Sequence, residues 1–176
     1  MNLSEPVIEA IFATYEPAIG KDLAKYRNHV YRVFKNCLLL DPDAQNREIY
    51  AIAAVFHDIG IWTDHTIDYL DPSIAQAARY LRETGAGHLE AQVSTMIYWH
   101  HKVGAYTGPF ARTAEVFRKA DWADVSLGLL TFGMDRARLR QARAAWPNAG
   151  FHLFLVRKIL PNLLSHPLNP LPMFKK

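Results

Sequence analysis

Cysteine is almost absent from this chain of 176 residues, in which Cys37 is the only one. A single thiol excludes an intrachain disulfide and a zinc cluster built from several thiolates. Any metal ion that the protein binds must therefore rely on histidine, aspartate or glutamate side chains.

Long apolar runs and dense charge of one sign are also missing. No apolar run approaches the roughly 20 residues of a membrane helix. Near the N-terminus, Glu5 and Glu9 stand where a signal peptide would carry lysine or arginine. We therefore expect a cytoplasmic protein with no membrane partner. The formal charge of +3 is too small for a nucleic-acid-binding surface, although it favours a phosphorylated small molecule as a partner.

What the chain does contain is typical of one packed helical domain. Half of its residues are apolar and 21% are charged, which is the balance of a globular protein. Apolar residues recur at helical spacing and no segment alternates with period two. The sequence predicts an all-α fold and a single domain over residues 1–176. The C-terminal residues 161–176 are rich in proline and are predicted as an extended tail, which could dock on a neighbouring subunit in a homo-oligomer.

Capping residues and the apolar pattern place the predicted helices. Asp43 is expected to cap the third helix, Asp71 the fourth, and Asp135 to open an arginine-bearing one. The predicted helices cover about residues 5–18, 21–39, 43–56, 71–85, 88–101 and 111–130, followed by one from 135 and a last one ending near 160.

The stretch VFHDIGIW, residues 55–62, places His57 and Asp58 side by side at the end of an apolar helix. Adjacent helical residues point about 100° apart, close to the angle between neighbouring ligands of an octahedral ion. Gly60 is expected to end this helix, so that the pair lies at its C-terminal end, where the helix dipole favours a cation. The pair is therefore a candidate for two ligands of one metal ion.

Two further residues are candidates for the same ion. His29 lies mid-helix among apolar residues, on a face expected to point inward. Asp121 lies between Ala120 and Trp122, on another helix with a core-facing pattern. A buried carboxylate without a partner is costly, and a metal ion removes that cost.

The order His29, then His57 and Asp58 within HDIG, then Asp121 within ADWAD resembles the HD superfamily of metal-dependent phosphohydrolases. The matching motifs span about residues 26–125. The resemblance implies a single compact helical bundle of the HD-domain type. It also implies that these four side chains bind a divalent ion such as Mn, Fe, Co, Ni, Zn or Mg. Two imidazoles and two carboxylates suit a first-row divalent metal and leave positions open for water and substrate.

Asp64 and His100 are the candidate catalytic residues. The resemblance implies an acidic side chain just beyond the HD pair, which makes Asp64 a candidate general acid, with a loop cap as the alternative. His100 and His101 resemble the paired histidines of members with the HD-GYP motif, but no GYP follows them. We therefore favour a single-metal site in which His100 steadies a phosphate or donates a proton.

Other polar residues have two interpretations each. Asp124 could orient a metal ligand or lie exposed on its helix. Four basic residues could neutralise phosphate oxygens or be solvated, namely Lys102, Arg112, Arg118 and Lys119. The arginines of the segment that follows residue 135 spread around their helix and are interpreted as solvated surface.

The predicted function is hydrolysis of a nucleotide or another small phosphorylated metabolite by metal-activated water. Two alternatives remain open. One is a metal-dependent hydratase or lyase that resembles cyanamide hydratase. The other is a non-catalytic HD protein that binds a metal ion or a nucleotide.

Overall fold

The computed structural model describes residues 5–165, 171 and 173, and all regular structure among them is helical. This confirms the predicted all-α bundle. Short 3-10 turns occur at Gly20–Asp22, Ala44–Asn46 and Gly87–Leu89. The α-helices of the described residues are α1 (Pro6–Ile19), α2 (Leu23–Leu40), α3 (Arg47–Phe56), α4 (Gly60–Thr63), α5 (Leu70–Glu83), α6 (Glu90–Trp99), α7 (Ala111–Val125), α8 (Arg136–Ala145) and α9 (Phe151–Ser165).

Helix α3 lies at the centre of the bundle. Every residue from Ile49 to Phe56 is buried, because the segment IYAIAAVF has no polar side and a helix that is apolar all round must be covered on all sides. Helices α1, α2, α5 and α6 pack against it. The chain segment after α3 therefore begins in the interior of the protein, where His57 and Asp58 are also buried.

Helices α2 and α7 form the other half of the candidate site. They pack against each other, and α7 also contacts α6. The inward face of α2 carries Val30, Val33 and Phe34, all fully buried. His29 lies on the same helix and is buried with them. The mutual packing of α2, α3, α6 and α7 thus brings four segments of the chain to one interior point.

Several predicted helix ends need correction. The Asp43 carboxylate accepts a hydrogen bond from the Gln45 N–H at 3.0 Å, but it caps the 3-10 turn that precedes α3. Asp135 caps α8 as predicted. The prediction for Asp71 was wrong, since α5 begins at Leu70 and its N-cap is Tyr69. Helix α7 ends at Val125 instead of continuing to residue 130.

Gly60 has a different role from the helix end that we predicted. It begins α4, and its N–H donates a hydrogen bond to Ser73 Oγ at 3.0 Å. A Cβ at this position would lie 2.7 Å from the Tyr69 carbonyl oxygen and 2.9 Å from Pro72 Cβ. The residue is therefore a glycine because the start of α5 approaches it closely, and not because of a left-handed conformation.

We expect Gly60→Ala to destabilise the protein by about 1–3 kcal/mol, the usual cost of forcing extra volume into a packed interior. Chemical denaturation of both proteins measures this difference. Gly87→Ala is the matched control, because the nearest atom to its added Cβ would be Arg82 Cγ at 3.9 Å. Equal unfolding free energies for the two variants would contradict the close approach at Gly60.

The predicted extended tail from residue 161 was wrong for its first turn. Pro161 lies inside α9, which continues to Ser165, because the backbone angle of proline is compatible with a helix even though its N–H is lost. Most of residues 166–176 lie outside the described residues. Of the two that are described, Leu171 is half-buried and Met173 is buried. Among the described residues, no helix has the length and apolar character needed to cross a membrane.

Candidate metal centre

The four predicted ligands meet at one point in the interior. His29 comes from α2, His57 and Asp58 follow α3, Asp121 comes from α7, and all four are buried. The shortest contact joins the Nε2 atoms of His29 and His57 at 3.0 Å. Asp58 Oδ2 lies 3.3 Å from His57 Nε2 and 3.7 Å from His29 Nε2. Asp121 Oδ1 lies 3.5 Å from His29 Nε2 and 3.7 Å from His57 Nε2.

The second ring nitrogen, Nδ1, of three buried histidines contacts an oxygen atom that can only accept a hydrogen bond. The Nδ1–H of His29 donates to Asp124 Oδ2 at 2.7 Å, and that of His57 donates to the Ala54 carbonyl oxygen at 2.8 Å. The Nδ1–H of His100 donates to the Ile97 carbonyl oxygen at 2.5 Å. A neutral imidazole with its proton on Nδ1 presents a lone pair at Nε2. All three rings are therefore fixed in the tautomer of a metal ligand.

This arrangement fits a divalent cation. Two lone pairs 3.0 Å apart repel each other unless a positive charge lies between them. Ligands about 2.1 Å from an octahedral ion lie about 3.0 Å from their neighbours, near the observed spacings. Furthermore, Asp58 Oδ1, Asp121 Oδ1 and His100 Nε2 are buried atoms without a hydrogen-bond partner in the described part of the chain, and a cation supplies what they lack.

The protonation equilibria reflect the same crowding. Burial lowers the pKa of His29 to about 4, so that its ring is neutral at neutral pH. Burial also raises the pKa of Asp121 to about 8, with the nearby Asp58 carboxylate acting in the same direction. Burial opposes ionisation of Asp58 too, but when His57 and His100 carry a second proton on Nε2, their positive charge and hydrogen bonds outweigh burial and hold the pKa of Asp58 well below its ordinary value. Without a cation, the carboxyl group of Asp58 therefore ionises more readily than that of Asp121.

Asp124 orients His29 and is itself held by Arg32. Arg32 Nε donates to Asp124 Oδ1 at 2.6 Å, and Arg32 Nη2 donates to Oδ2 at 2.9 Å. Burial opposes ionisation of Asp124, yet the hydrogen bonds from His29 and Arg32 lower its pKa below the ordinary value. Asp124 is 1% exposed. Asp124 contacts one of the predicted ligands, as a residue that orients a ligand would, and the alternative of an exposed position is wrong.

The chain matches no protein-family model, no curated protein and no solved structure. The assignment of a possible metal centre therefore depends on the positions of these side chains alone.

His100 and His101 form a second group with Asp58. Ligand atoms of these three residues lie within 4.8 Å of one another, as do those of His29, His57 and Asp58. His100 Nε2 lies 3.6 Å from Asp58 Oδ1, and His29 and His57 face Asp58 Oδ2. Asp58 is therefore shared by two groups that could each hold an ion. We predicted one ion, and the geometry offers a second set of ligands beside it.

A cavity of about 200 Å³ opens directly onto Asp58 and Asp121. Among the described residues, its remaining polar lining comes from Tyr69 and His101. The other described lining residues are apolar or aromatic, namely Ile61, Ile67, Trp122, Val125, Leu155, Ile159, Leu171 and Met173. The cavity is the place next to the candidate ligands where a small molecule can bind.

Asp64 is not part of this cavity. It is exposed and accepts a hydrogen bond from the Thr63 hydroxyl at 2.6 Å. This position favours the alternative of a polar residue at the end of α4 and gives no support to a role as general acid. His100, the other predicted catalytic residue, is fully buried beside Asp58.

Sequence reasoning missed two residues of the centre. Arg32 was overlooked because an arginine on α2 has no local signal of burial, although it is 1% exposed. Tyr69 was overlooked because it precedes a helix start that we assigned to Asp71. Its hydroxyl lies 2.5 Å from His101 Nε2, and burial together with the Asp58 and Asp121 carboxylates raises the pKa of Tyr69 well above its ordinary value. Tyr69 therefore offers a protonated hydroxyl to the cavity.

Proposed function

We propose that this protein is a metal-dependent phosphohydrolase of the HD superfamily, which cleaves the ester of a small phosphorylated metabolite. The observation that supports the proposal is that four buried candidate ligands meet in the interior, namely His29, His57, Asp58 and Asp121. The ligand atom of each one lies within 3.7 Å of the ligand atom of at least one other. The order of these residues along the chain is that of the superfamily.

Each residue has a role that follows from its position. A divalent ion held by the four ligands would polarise a phosphoryl oxygen and lower the pKa of a bound water, so that a nucleophile exists near neutral pH. Asp124 and Arg32 keep the His29 ring in its ligating orientation. Tyr69 lines the cavity with Asp58. Its hydroxyl oxygen can accept a hydrogen bond from His101 Nε2–H, and it would then donate its own proton to a leaving group. His100 remains the predicted alternative for this step.

A second candidate function is favoured by the lining of the cavity. No lysine or arginine lines it among the described residues, whereas phosphate sites commonly use such cations. A metal-dependent hydratase or lyase acts on a neutral carbon centre and does not need them. The cyanamide hydratase type of reaction is therefore the alternative to hydrolysis of a phosphate ester.

His57→Ala tests the proposal. We expect the variant to lose bound metal, and to lose affinity for manganese by more than the roughly 10–100-fold that changing an outer hydrogen-bond partner costs. Phosphate release from a panel of phosphomonoesters and nucleotides should be lost with it. The measurements are elemental analysis and released phosphate with added manganese. His88→Ala is the control, since His88 is exposed.

Two outcomes would redirect the proposal. If His57→Ala keeps both its metal and its activity, the ligand assignment is wrong. If the wild-type protein holds a metal ion and releases no phosphate, but hydrates a nitrile, the second candidate function replaces the first.

A further inference from the structure

The cavity next to the candidate ion is lined by two chemically different sets of side chains. Asp58, Asp121, Tyr69 and His101 form the polar set, which includes two of the candidate ligands. The aliphatic set comes from three parts of the chain: Ile61 and Ile67, Leu155 and Ile159 of α9, and Leu171 and Met173. Among the described residues, a bound molecule therefore meets the candidate ligands on one part of the lining and aliphatic side chains on most of the rest.

The four basic residues that could have served a polyphosphate are engaged elsewhere. Lys102 Nζ lies over the rings of Tyr98 and Trp99. Arg112 donates to Asp41 at 2.6 Å, and Arg118 donates to Glu115 at 2.7 Å. Lys119 lies 3.9 Å from the same Glu115 carboxylate. None of these side chains lines the cavity. Additional phosphate groups would therefore lie against apolar walls without countercharge, and burying such groups is costly.

The size of the cavity sets a second limit. Its volume of about 200 Å³ is below the range of about 300–1,000 Å³ that holds a drug-sized ligand. A nucleotide, with a base, a sugar and phosphate, would not be enclosed. A compact molecule with a few carbon atoms would fill the space and exclude water from the ligands.

We propose that the substrate is a compact molecule with one polar group, which reacts at the metal, and an aliphatic or aromatic substituent, which lies against the aliphatic side chains of the cavity. This inference rests on the proposed function, and it narrows the substrate class by excluding nucleotides. The substituent gains affinity because it leaves water for a hydrocarbon surface, which contributes about 0.8 kcal/mol for each buried methylene.

A homologous series of n-alkyl hydroxamic acids tests the inference, because the hydroxamate group binds divalent metals and the chain length can be varied. With the manganese-loaded protein, we expect the affinity measured by calorimetry to rise about fourfold per methylene until the cavity is full. AMP should bind no more tightly than inorganic phosphate. An affinity that does not change with chain length, or tight binding of AMP, would overturn the inference.

Two substitutions in α9 test whether the alkyl chain of the hydroxamate binds in this cavity. Ile159 lines the cavity and is half-buried, whereas Val156 is 57% exposed on α9 and does not line it. Ile159→Asn should abolish most of the gain with chain length. Val156→Asn should keep the full gain. The same dependence on chain length in both variants would show that the alkyl chains bind elsewhere and would overturn the inference.

An experiment on the metal-free protein distinguishes failure of this inference from failure of the proposed function. In the chelator-treated protein, 1-alkanols of increasing length should raise the melting temperature progressively. If they do so while no hydroxamate binds the manganese-treated protein, the apolar cavity stands and the metal-dependent function fails. If neither series depends on chain length, the inference is wrong whatever the metal content.

Discussion

Asp121→Asn is expected to abolish the stabilisation of the protein by manganese without lowering the stability of the metal-free protein. Manganese at about 100 times its dissociation constant should stabilise the wild-type protein by about 2.7 kcal/mol. The variant should gain nothing, because an amide is a poor ligand in place of a carboxylate. Asp121 Oδ1 is buried and has no hydrogen-bond partner among residues 5–165, 171 and 173. A buried polar group without a hydrogen-bond partner costs about 1–3 kcal/mol. Aspartate and asparagine both carry this cost at position 121, so the substitution should hardly change the stability of the metal-free protein.

Asp41→Asn is the matched control for this prediction. Asp41 is as well buried as Asp121, at 2% exposed. However, its carboxylate accepts hydrogen bonds from Tyr50, Asn46 and Arg112 at 2.7, 2.8 and 2.6 Å. Its substitution should lower the free energy of unfolding equally with and without manganese, and leave the shift caused by manganese intact.

Thermal unfolding with manganese and with a chelator measures all four free-energy differences. Substitution of a metal ligand should lower the free energy of unfolding only when manganese is present. Substitution of a structural aspartate should lower it equally with manganese and with a chelator. If Asp121→Asn destabilises the metal-free protein as Asp41→Asn does, and still responds fully to manganese, then Asp121 belongs to the core and not to a metal centre.

The sequence was sufficient to predict which side chains meet at the candidate metal centre, because each one breaks an apolar helical pattern. His57 and Asp58 end a segment in which every residue from Ile49 to Phe56 is buried, so that their burial follows from their neighbours. His29 and Asp121 are conspicuous for the same reason. A polar residue within a buried face needs a partner, and that requirement can be recognised from the order of the residues along the chain.

Long-range partners could not be predicted in the same way. Arg32 and Asp124 are separated by 92 residues, and nothing in the local pattern of α2 distinguishes a buried arginine from a solvated one. Gly60 is a similar case, since the approach of Tyr69 and Pro72 that excludes a Cβ depends on how α4 packs against α5. The apolar lining of the cavity likewise combines Ile61 and Ile67 with α9 and with Leu171 and Met173. Such contacts are properties of the packed bundle.

Arg32→Met is expected to be the most destabilising of the substitutions considered, at about 3–5 kcal/mol, because it removes the guanidinium that donates two hydrogen bonds to the buried Asp124 carboxylate. Arg32 and Asp124 are both about 1% exposed, so water cannot replace the lost guanidinium. The melting temperature should fall by about 6–20 °C. Arg143→Met is the control, since Arg143 Nη1 lies 3.8 Å from the same carboxylate and its side chain is 29% exposed. That variant should lose no more than about 1 kcal/mol.

The double variant Arg32→Met/Asp124→Asn identifies the cause of the effect. Asparagine keeps an oxygen that can accept the hydrogen bond from His29 Nδ1, and it removes the charge that Arg32 balances. If the cost of Arg32→Met is that of an uncompensated charge, the double variant should be more stable than the sum of the single variants predicts, by about 0.5–3 kcal/mol. Asp124→Asn alone should also weaken manganese binding by about 10–100-fold, because His29 loses a charged acceptor. Additive stability losses would mean that Arg32 contributes through packing, and that the orientation of His29 does not depend on it.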